Sequence, residues 1–256
     1  MDAGDSTILV TGGTGHLGQP TVRLLDRAGL RPRVLSRKDG RGVIRGDLAT
    51  GDGLSAALDG VRTVLHLANG GGKEDEHTAR LALAAKSAGV EHVIYISIVG
   101  IERNQALGYY AAKLRSEQAI RAAGVPWTIL RATQFHGFVA NFVKGQTGSP
   151  IAFIPRMSFQ PVAVEEVAER LVALAGLPPA GAVPDFAGPE QLTLEQIART
   201  WYAAHGKPGH RIARLPLPGA AARAFRDGAQ LGTLPGAGRQ TFAEYAAMRA
   251  AQTSAS

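Results

Sequence analysis

The sequence predicts an α/β fold: a doubly wound parallel sheet with a small, mostly helical C-terminal lobe. Three observations carry this. Short apolar runs alternate with segments of helical apolar spacing, glycine closes one helix after another, and a glycine-rich turn follows the first apolar run. Such alternation buries a parallel sheet between two layers of helices.

Ser6–Val10 is a short apolar run ending in glycines, as a buried parallel strand requires. Gln19–Ala28 places Val22, Leu24 and Leu25 at helical spacing, and Gly29 stops it. Arg33–Leu35 is the second strand, with Gly46-Asp47-Leu48 following a third. A short helix closes at Ala56–Leu58 before Gly60, and Thr63–Leu67 is the next strand. A helix from about His77 to Ser87 ends at Gly89 and leads into the strand His92–Ile96. Another from about Tyr109 to Ala123 ends at Gly124, and Pro126 introduces the strand Trp127–Leu130. Beyond Arg131 the pattern loosens. Val164–Leu174 is a helix with Glu165 and Glu166 in its first turn, where carboxylates suit the dipole. Short helices such as Leu194–Ala204 and Phe242–Ala251 follow, separated by proline and glycine. The expected division is a sheet domain over 5–188 and a lobe over 189–256.

At 256 residues the chain can bury one sizeable core plus an appendage. It has no cysteine, which removes disulfides, thiolate metal sites and cysteine nucleophiles, and fits a cytoplasmic location. Its first residues are acidic and polar, unlike a secretory signal, and charges or glycines interrupt every apolar run before membrane-spanning length. The net charge of +7 is concentrated locally at Arg31, Arg33, Arg37, Lys38, Arg41 and Arg45, without interleaved aromatics to stack on bases. A nucleic-acid or membrane partner is therefore not expected. A small-molecule substrate is. Oligomeric state stays open, with a homodimer among the options.

Thr11-Gly12-Gly13-Thr14-Gly15-His16-Leu17-Gly18 joins the first strand to the first helix. Glycines at 12, 15 and 18 suit a sharp turn, backbone approach to a pyrophosphate and close helix–sheet packing; helix-start N–H groups then hold the anion. The strand before and the helix after supply the context that makes this a Rossmann dinucleotide turn, with Thr14, His16 and Leu17 beside the cofactor. The second strand ends in Leu35-Ser36-Arg37-Lys38, with no acid at its tip. A carboxylate there would hydrogen-bond the ribose of NAD, whereas Arg37 with Lys38 can grip a 2′-phosphate. The expected cofactor is NADPH in preference to NADH; solvated turn residues are the plainer alternative, and Asp39 just beyond is a complication. Asp47 and Leu48 suit either an adenine contact or an ordinary turn. Ala68 and Asn69, in the glycine-rich loop after the fourth strand, suit either backbone approach to the cofactor or a merely flexible loop.

Tyr109 and Lys113 stand four apart at the start of a helix, on one face. A lysine ammonium beside a phenol would lower its pKa, making a proton donor for a carbonyl whose carbon accepts hydride. Ser97, twelve residues before Tyr109, is expected to hydrogen-bond the substrate oxygen. Gln134, Phe135, His136 and Phe138 are candidates for the substrate pocket, the aromatics stacking on a planar quinone and His136 serving as a second donor; a helix packing its phenylalanines into the core is the alternative. The scattered histidines 92, 136, 205 and 210 lack metal-ligand spacing, so no metal is expected.

Thr11–Gly18, Tyr95–Gly100, Tyr109–Lys113, Trp127–Arg131, Gln134–His136 and Gln160–Ala168 together resemble the short-chain dehydrogenase/reductases, specifically their atypical NmrA-like and NAD(P)H:quinone oxidoreductase-like branch. That resemblance implies a Rossmann core and a variable C-terminal portion that shapes the substrate pocket, with Lys113 a steadier feature than Tyr109. It also implies an NADPH-dependent oxidoreductase acting on a carbonyl, quinone or related conjugated molecule. The branch includes non-catalytic NADP-binding redox sensors, which are the rival expectation. Ala132 stands where such proteins often carry proline.

Overall fold

The computed structural model describes residues 7–38, 40 and 42–254; Asp39 and Arg41 lie outside them. In chain order the strands are β1 (Thr7–Thr11), β2 (Arg33–Ser36), β3 (Val43–Arg45), β4 (Val61–His66), β5 (His92–Ile98), β6 (Trp127–Ala132), β7 (Ile151–Pro155), β8 (Ser158–Phe159), β9 (Gly181–Ala182), β10 (Leu192–Thr193) and β11 (Arg211–Leu215). The helices are α1 (Gly18–Arg27), α2 (Leu54–Leu58), α3 (Glu74–Ser87), α4 (Gly108–Ala122), α5 (His136–Lys144), α6 (Val164–Ala175), α7 (Leu194–Ala204), α8 (Ala220–Arg226) and α9 (Phe242–Ser254).

Two compact units emerge, and the chain alternates between them. The first comprises residues 1–97, 108–131 and 164–184; the second comprises 98–107, 132–163 and 185–256. This division differs from a single boundary at 188/189, because the segments after β5 and β6 belong to the second unit.

The first unit is the sheet, in the order β3-β2-β1-β4-β5-β6-β9. β1 pairs in parallel with both β2 and β4, the point where the strand order reverses. Right-handed crossovers leaving β1 in one direction and β4 and β5 in the other put their helices on opposite faces. Accordingly α1 packs on α6, and α3 on α4 with α2 beside it. Leu9, Val64 and Val93 from adjacent strands are fully or almost fully buried with Leu58 and Leu81 from α2 and α3. Strands covered on both faces are expected to read as continuous apolar runs, as these do.

The second unit has its own core. Val139 and Val143 of α5, Ile154 of β7, Phe159 of β8, Ile197 and Trp201 of α7, and Phe242 of α9 form it. α7 opens with a reciprocal cap, in which Thr193 accepts from the Gln196 backbone and the Gln196 side chain accepts from the Thr193 backbone. Short strands join the helices of this unit. β7 and β11 pair in parallel, and β8 and β10 antiparallel.

Candidate functional site

The glycine turn lies at the C-terminal end of β1, at the reversal of strand order where open sheets of this kind bind ligands. Gly12 has φ of 70°, and a Cβ there would stand 2.6 Å from the Ala68 nitrogen. At Gly18 a Cβ would stand 2.1 Å from the Gly12 oxygen. Both positions therefore exclude every other residue, and the turn closes tightly enough to aim the start of α1. Thr14, Gly15 and His16 are exposed on its outer side, Leu17 is buried beneath, and no side chain caps α1. The turn leaves room at Gly15 for backbone to meet a ligand, and the uncapped helix start suits a diphosphate. The residues present thus fit a dinucleotide.

Arg37 and Lys38 are exposed just past β2, and the Lys38 N–H donates to the Ser36 hydroxyl at 3.1 Å. Asp47 serves its own turn, accepting from the Ala49 N–H at 2.9 Å, and the Leu48 carbonyl accepts from Arg80 at 2.6 Å. These observations favour the turn role for Asp47. The Ala68 N–H reaches the Thr11 hydroxyl at 3.4 Å.

Asn69 and Tyr109 come together. The Asn69 Nδ2 donates to the Tyr109 hydroxyl oxygen at 3.2 Å, while its Oδ1 accepts from the Gly71 N–H at 2.9 Å. Tyr109 is 36% exposed, against 5% for Lys113 and 2% for Ser97, so it alone of that set presents an open face.

Lys113 corrects the expectation drawn from its spacing. Its ammonium turns inward to Glu74 Oε1 at 2.6 Å and to the Ile96 carbonyl at 2.9 Å, and lies 4.6 Å from the Tyr95 ring centre. Tyr95 donates to the same Glu74 oxygen at 2.8 Å. Burial pulls the Lys113 ammonium below its usual range, with Glu74 pulling the other way. The Tyr109 phenol is raised, not lowered: burial pushes it up, and the Glu74 charge and Tyr110 add to this. The lysine's field is spent on a carboxylate. Glu74 was not visible as a site residue in the sequence, where it reads as one of three acids near a helix start.

The buried Glu74 Oε2 has no hydrogen-bond partner, and the buried Ser97 hydroxyl lies beside Glu117. Near them, burial raises the Glu117 carboxyl, but Arg131, Ser97 and Arg121 outweigh it and hold the group below its ordinary value. Arg131 grips Glu117 with two bonds of 2.7 Å. Deeper still, His66 is held between Thr11 Oγ1 at 2.7 Å and Thr78 Oγ1 at 2.9 Å and stacks on Tyr95.

The remaining candidates lie in the second unit. Gln134 is buried and donates to the Gln230 carbonyl at 3.2 Å. His136 is also buried, 3.1 Å from the Gln240 carbonyl and stacked on Tyr245, so the histidine read as a proton donor is packed among aromatics. Phe135 is half-buried and bridges to Val162. Phe138 is exposed and meets Phe142 edge-on, while Phe142 lies against the buried Phe159 of the unit's core. Among the described residues no group of His, Asp or Glu could hold a metal ion, and no helix is long and apolar enough to cross a membrane.

Two outcomes follow from the buried groups. Burial, then Lys113 and His77, push the His66 imidazole down to about 3 from an ordinary 6.5. The unfolded chain takes up that proton near 6.5 and the folded one does not. Stability from this source is therefore intact above 6.5 and falls towards pH 3, by about 1.4 kcal/mol per pH unit. His66→Asn should flatten that slope by one proton in urea unfolding between pH 4 and 7. Glu74→Gln leaves a buried ammonium unpaired and should cost about 3–5 kcal/mol at neutral pH. Because a lysine with a depressed folded pKa makes stability rise with pH, this loss should shrink on repeating the unfolding at pH 9.5.

Residues 4–150 match the NmrA-like family. The chain is 32% identical over 216 residues to a (4-alkanoyl-5-oxo-2,5-dihydrofuran-3-yl)methyl phosphate reductase of Streptomyces griseus, covering 78% of this chain and 74% of that one. It is 31% identical over 245 residues to a ceramide reductase of Caulobacter vibrioides, covering 83% and 74%. Among solved structures, an NADPH-dependent quinone oxidoreductase of Escherichia coli in complex with NADPH superposes with a TM-score of 0.81 at 17% identity, over 94% of this chain and 99% of that one. With the glycine turn at the strand reversal and this breadth of match, the chain belongs to the NmrA-like family.

Proposed function

We propose that this protein draws hydride from NADPH, in preference to NADH, to reduce a conjugated carbonyl or quinone. It is an NAD(P)H-dependent oxidoreductase. The observation that carries the reading is the glycine turn, closed by Gly12 and Gly18 and open at Thr14–His16. When bound there, the reduced nicotinamide supplies the hydride.

The protein's own residues account for binding and for the proton. Gly12, Gly15 and Gly18 give the diphosphate its cradle. Arg37, with Lys38, supports a 2′-phosphate at the tip of β2, where no acid competes among the described residues. Asn69 donates to the Tyr109 oxygen, which leaves the phenolic hydrogen for a substrate oxygen. The phenol is protonated at neutral pH and is placed as a hydrogen-bond donor; burial holds its pKa above the ordinary value, so its proton passes only as the substrate oxygen takes up negative charge. Ser97, buried beside Glu117, supports the site from behind and is not its open donor. Lys113 acts indirectly, as a buried charge clamped by Glu74. The rival reading, an NADP-binding sensor, shares the turn but gives no use to an oriented phenol.

Mixing the protein with NADPH and 1,2-naphthoquinone should deplete absorbance at the reduced nicotinamide band. Tyr109→Phe should lower kcat about a hundredfold with cofactor affinity unchanged; unchanged turnover would remove Tyr109 from the mechanism. Tight NADPH binding without turnover across quinones and ketones would favour the sensor. Arg37→Ser should weaken NADPH binding about tenfold and leave NADH binding as it was, read by nicotinamide fluorescence. Equal affinity for the two cofactors in the unaltered protein would overturn the assignment.

A further inference from the structure

The second unit contains a cleft of about 760 Å³ that the reaction proposed above does not use. Three arginines line it: Arg103 from the segment after β5, and Arg223 and Arg226 from α8. The last two are three apart and share a helix face. None of the three forms an ion pair with a carboxylate among the described residues. Arg103 Nη2 donates to the Leu231 carbonyl at 2.8 Å, and Arg226 Nη1 donates to the Leu217 carbonyl at 2.8 Å. A neutral carbonyl fixes the Arg103 and Arg226 guanidiniums in place without neutralising them, so their remaining N–H groups are preoriented and charged. Asp227 is the one acid on the wall, and its backbone N–H, not its carboxylate, bonds to Arg223.

Uncompensated arginines brought to one concavity by two separate segments suit a phosphate, through paired charge-assisted hydrogen bonds. The cleft is far larger than a phosphate, within the range of small-molecule sites. Pro218, Ala224 and other small residues give it apolar wall. We propose that this cleft binds a phosphate monoester of a small organic molecule. Arg103, Arg223 and Arg226 surround the phosphate, and Asp227 accepts from a hydroxyl or amide on the organic part. The proposal does not depend on the cofactor reading. The ligand is taken as separate from the molecule being reduced, and a phosphate carried by that molecule is an outcome of the test.

The test is calorimetric titration of phenyl phosphate into full-length protein saturated with NADP, so that the glycine turn is not the acceptor, at low and at physiological salt. Saturable binding that weakens with salt is expected, with the affinity reduced about tenfold or more in Arg223→Ala/Arg226→Ala. Arg223→Lys, which keeps the charge and loses the fork, should lie between them and guards against a folding defect. Arg249→Ala, on an exposed arginine outside the cleft, should change nothing. No binding, or binding equally strong in the double variant, overturns the proposal. Steady-state rates with 1,2-naphthoquinone and its 4-sulfonate identify the source. If the double variant raises KM for the sulfonate alone, the anion belongs to the substrate; if phenyl phosphate binding is lost with both KM values unchanged, it belongs to an effector. Absence of turnover with either quinone counts against the oxidoreductase reading and leaves the calorimetry intact.

Discussion

The ion pair between Glu74 and Lys113 is the constraint around which the first unit's carboxyl edge is arranged. Both side chains are almost wholly buried, so each charge has lost its water and depends on the other. The pair joins α3 to α4, while the Tyr95 hydroxyl and the Ile96 carbonyl bring in β5. Helix, helix and strand are thereby held at one point beneath the loop that carries Asn69. Removing one partner leaves a bare charge in a dry site, which is why the contact is costly to break even though a well-packed apolar pair could replace it.

A second constraint acts through absence of side chain. Gly12 lets the turn after β1 lie against the backbone of Ala68, and Gly18 lets the first helix begin against the turn itself. These approaches and the buried pair meet the same loop from two sides. The turn fixes Ala68, and α3 starts at Glu74 a few residues on. The glycine turn, the loop of Asn69 and the Tyr109 hydroxyl are consequently parts of one edge of the sheet.

Most of this edge was legible in the sequence because periodic burial and glycine punctuation are local signals. The alternation of strands and helices, the strand-to-helix glycine turn and the place of Asn69's loop after the fourth strand follow from neighbours along the chain. What was not legible depends on contacts between distant residues. Nothing in the spacing from Glu74 to Lys113 announces a pair thirty-nine residues apart, and the nearer tyrosine at position 109 was the natural partner to assume. β11 is not legible because Arg211–Leu215 is largely exposed and carries two arginines, so it lacks the apolar pattern of a buried strand. His136 reads as a free acid–base group in a loop of aromatics, but α5 turns it against Tyr245. The alternation of the chain between two units is likewise a property of where segments pack, which one-dimensional composition does not carry.

The hydrogen bonds around Asn69 have a direction. They start at the Gly71 N–H, a backbone donor that cannot reverse its role, pass through the amide from oxygen to nitrogen, and end on the Tyr109 oxygen. Each donor polarises the next, so the chain behaves as a small aligned dipole whose positive end is the phenolic hydrogen. An oxygen arriving at that end must bring a lone pair. A ketone or quinone oxygen does so, whereas a hydroxyl group would have to turn its own hydrogen away. On the proposed reading of Tyr109 as the group that meets the substrate, the fixed polarity of one asparagine favours an incoming lone pair over an incoming hydrogen before any cofactor chemistry takes place.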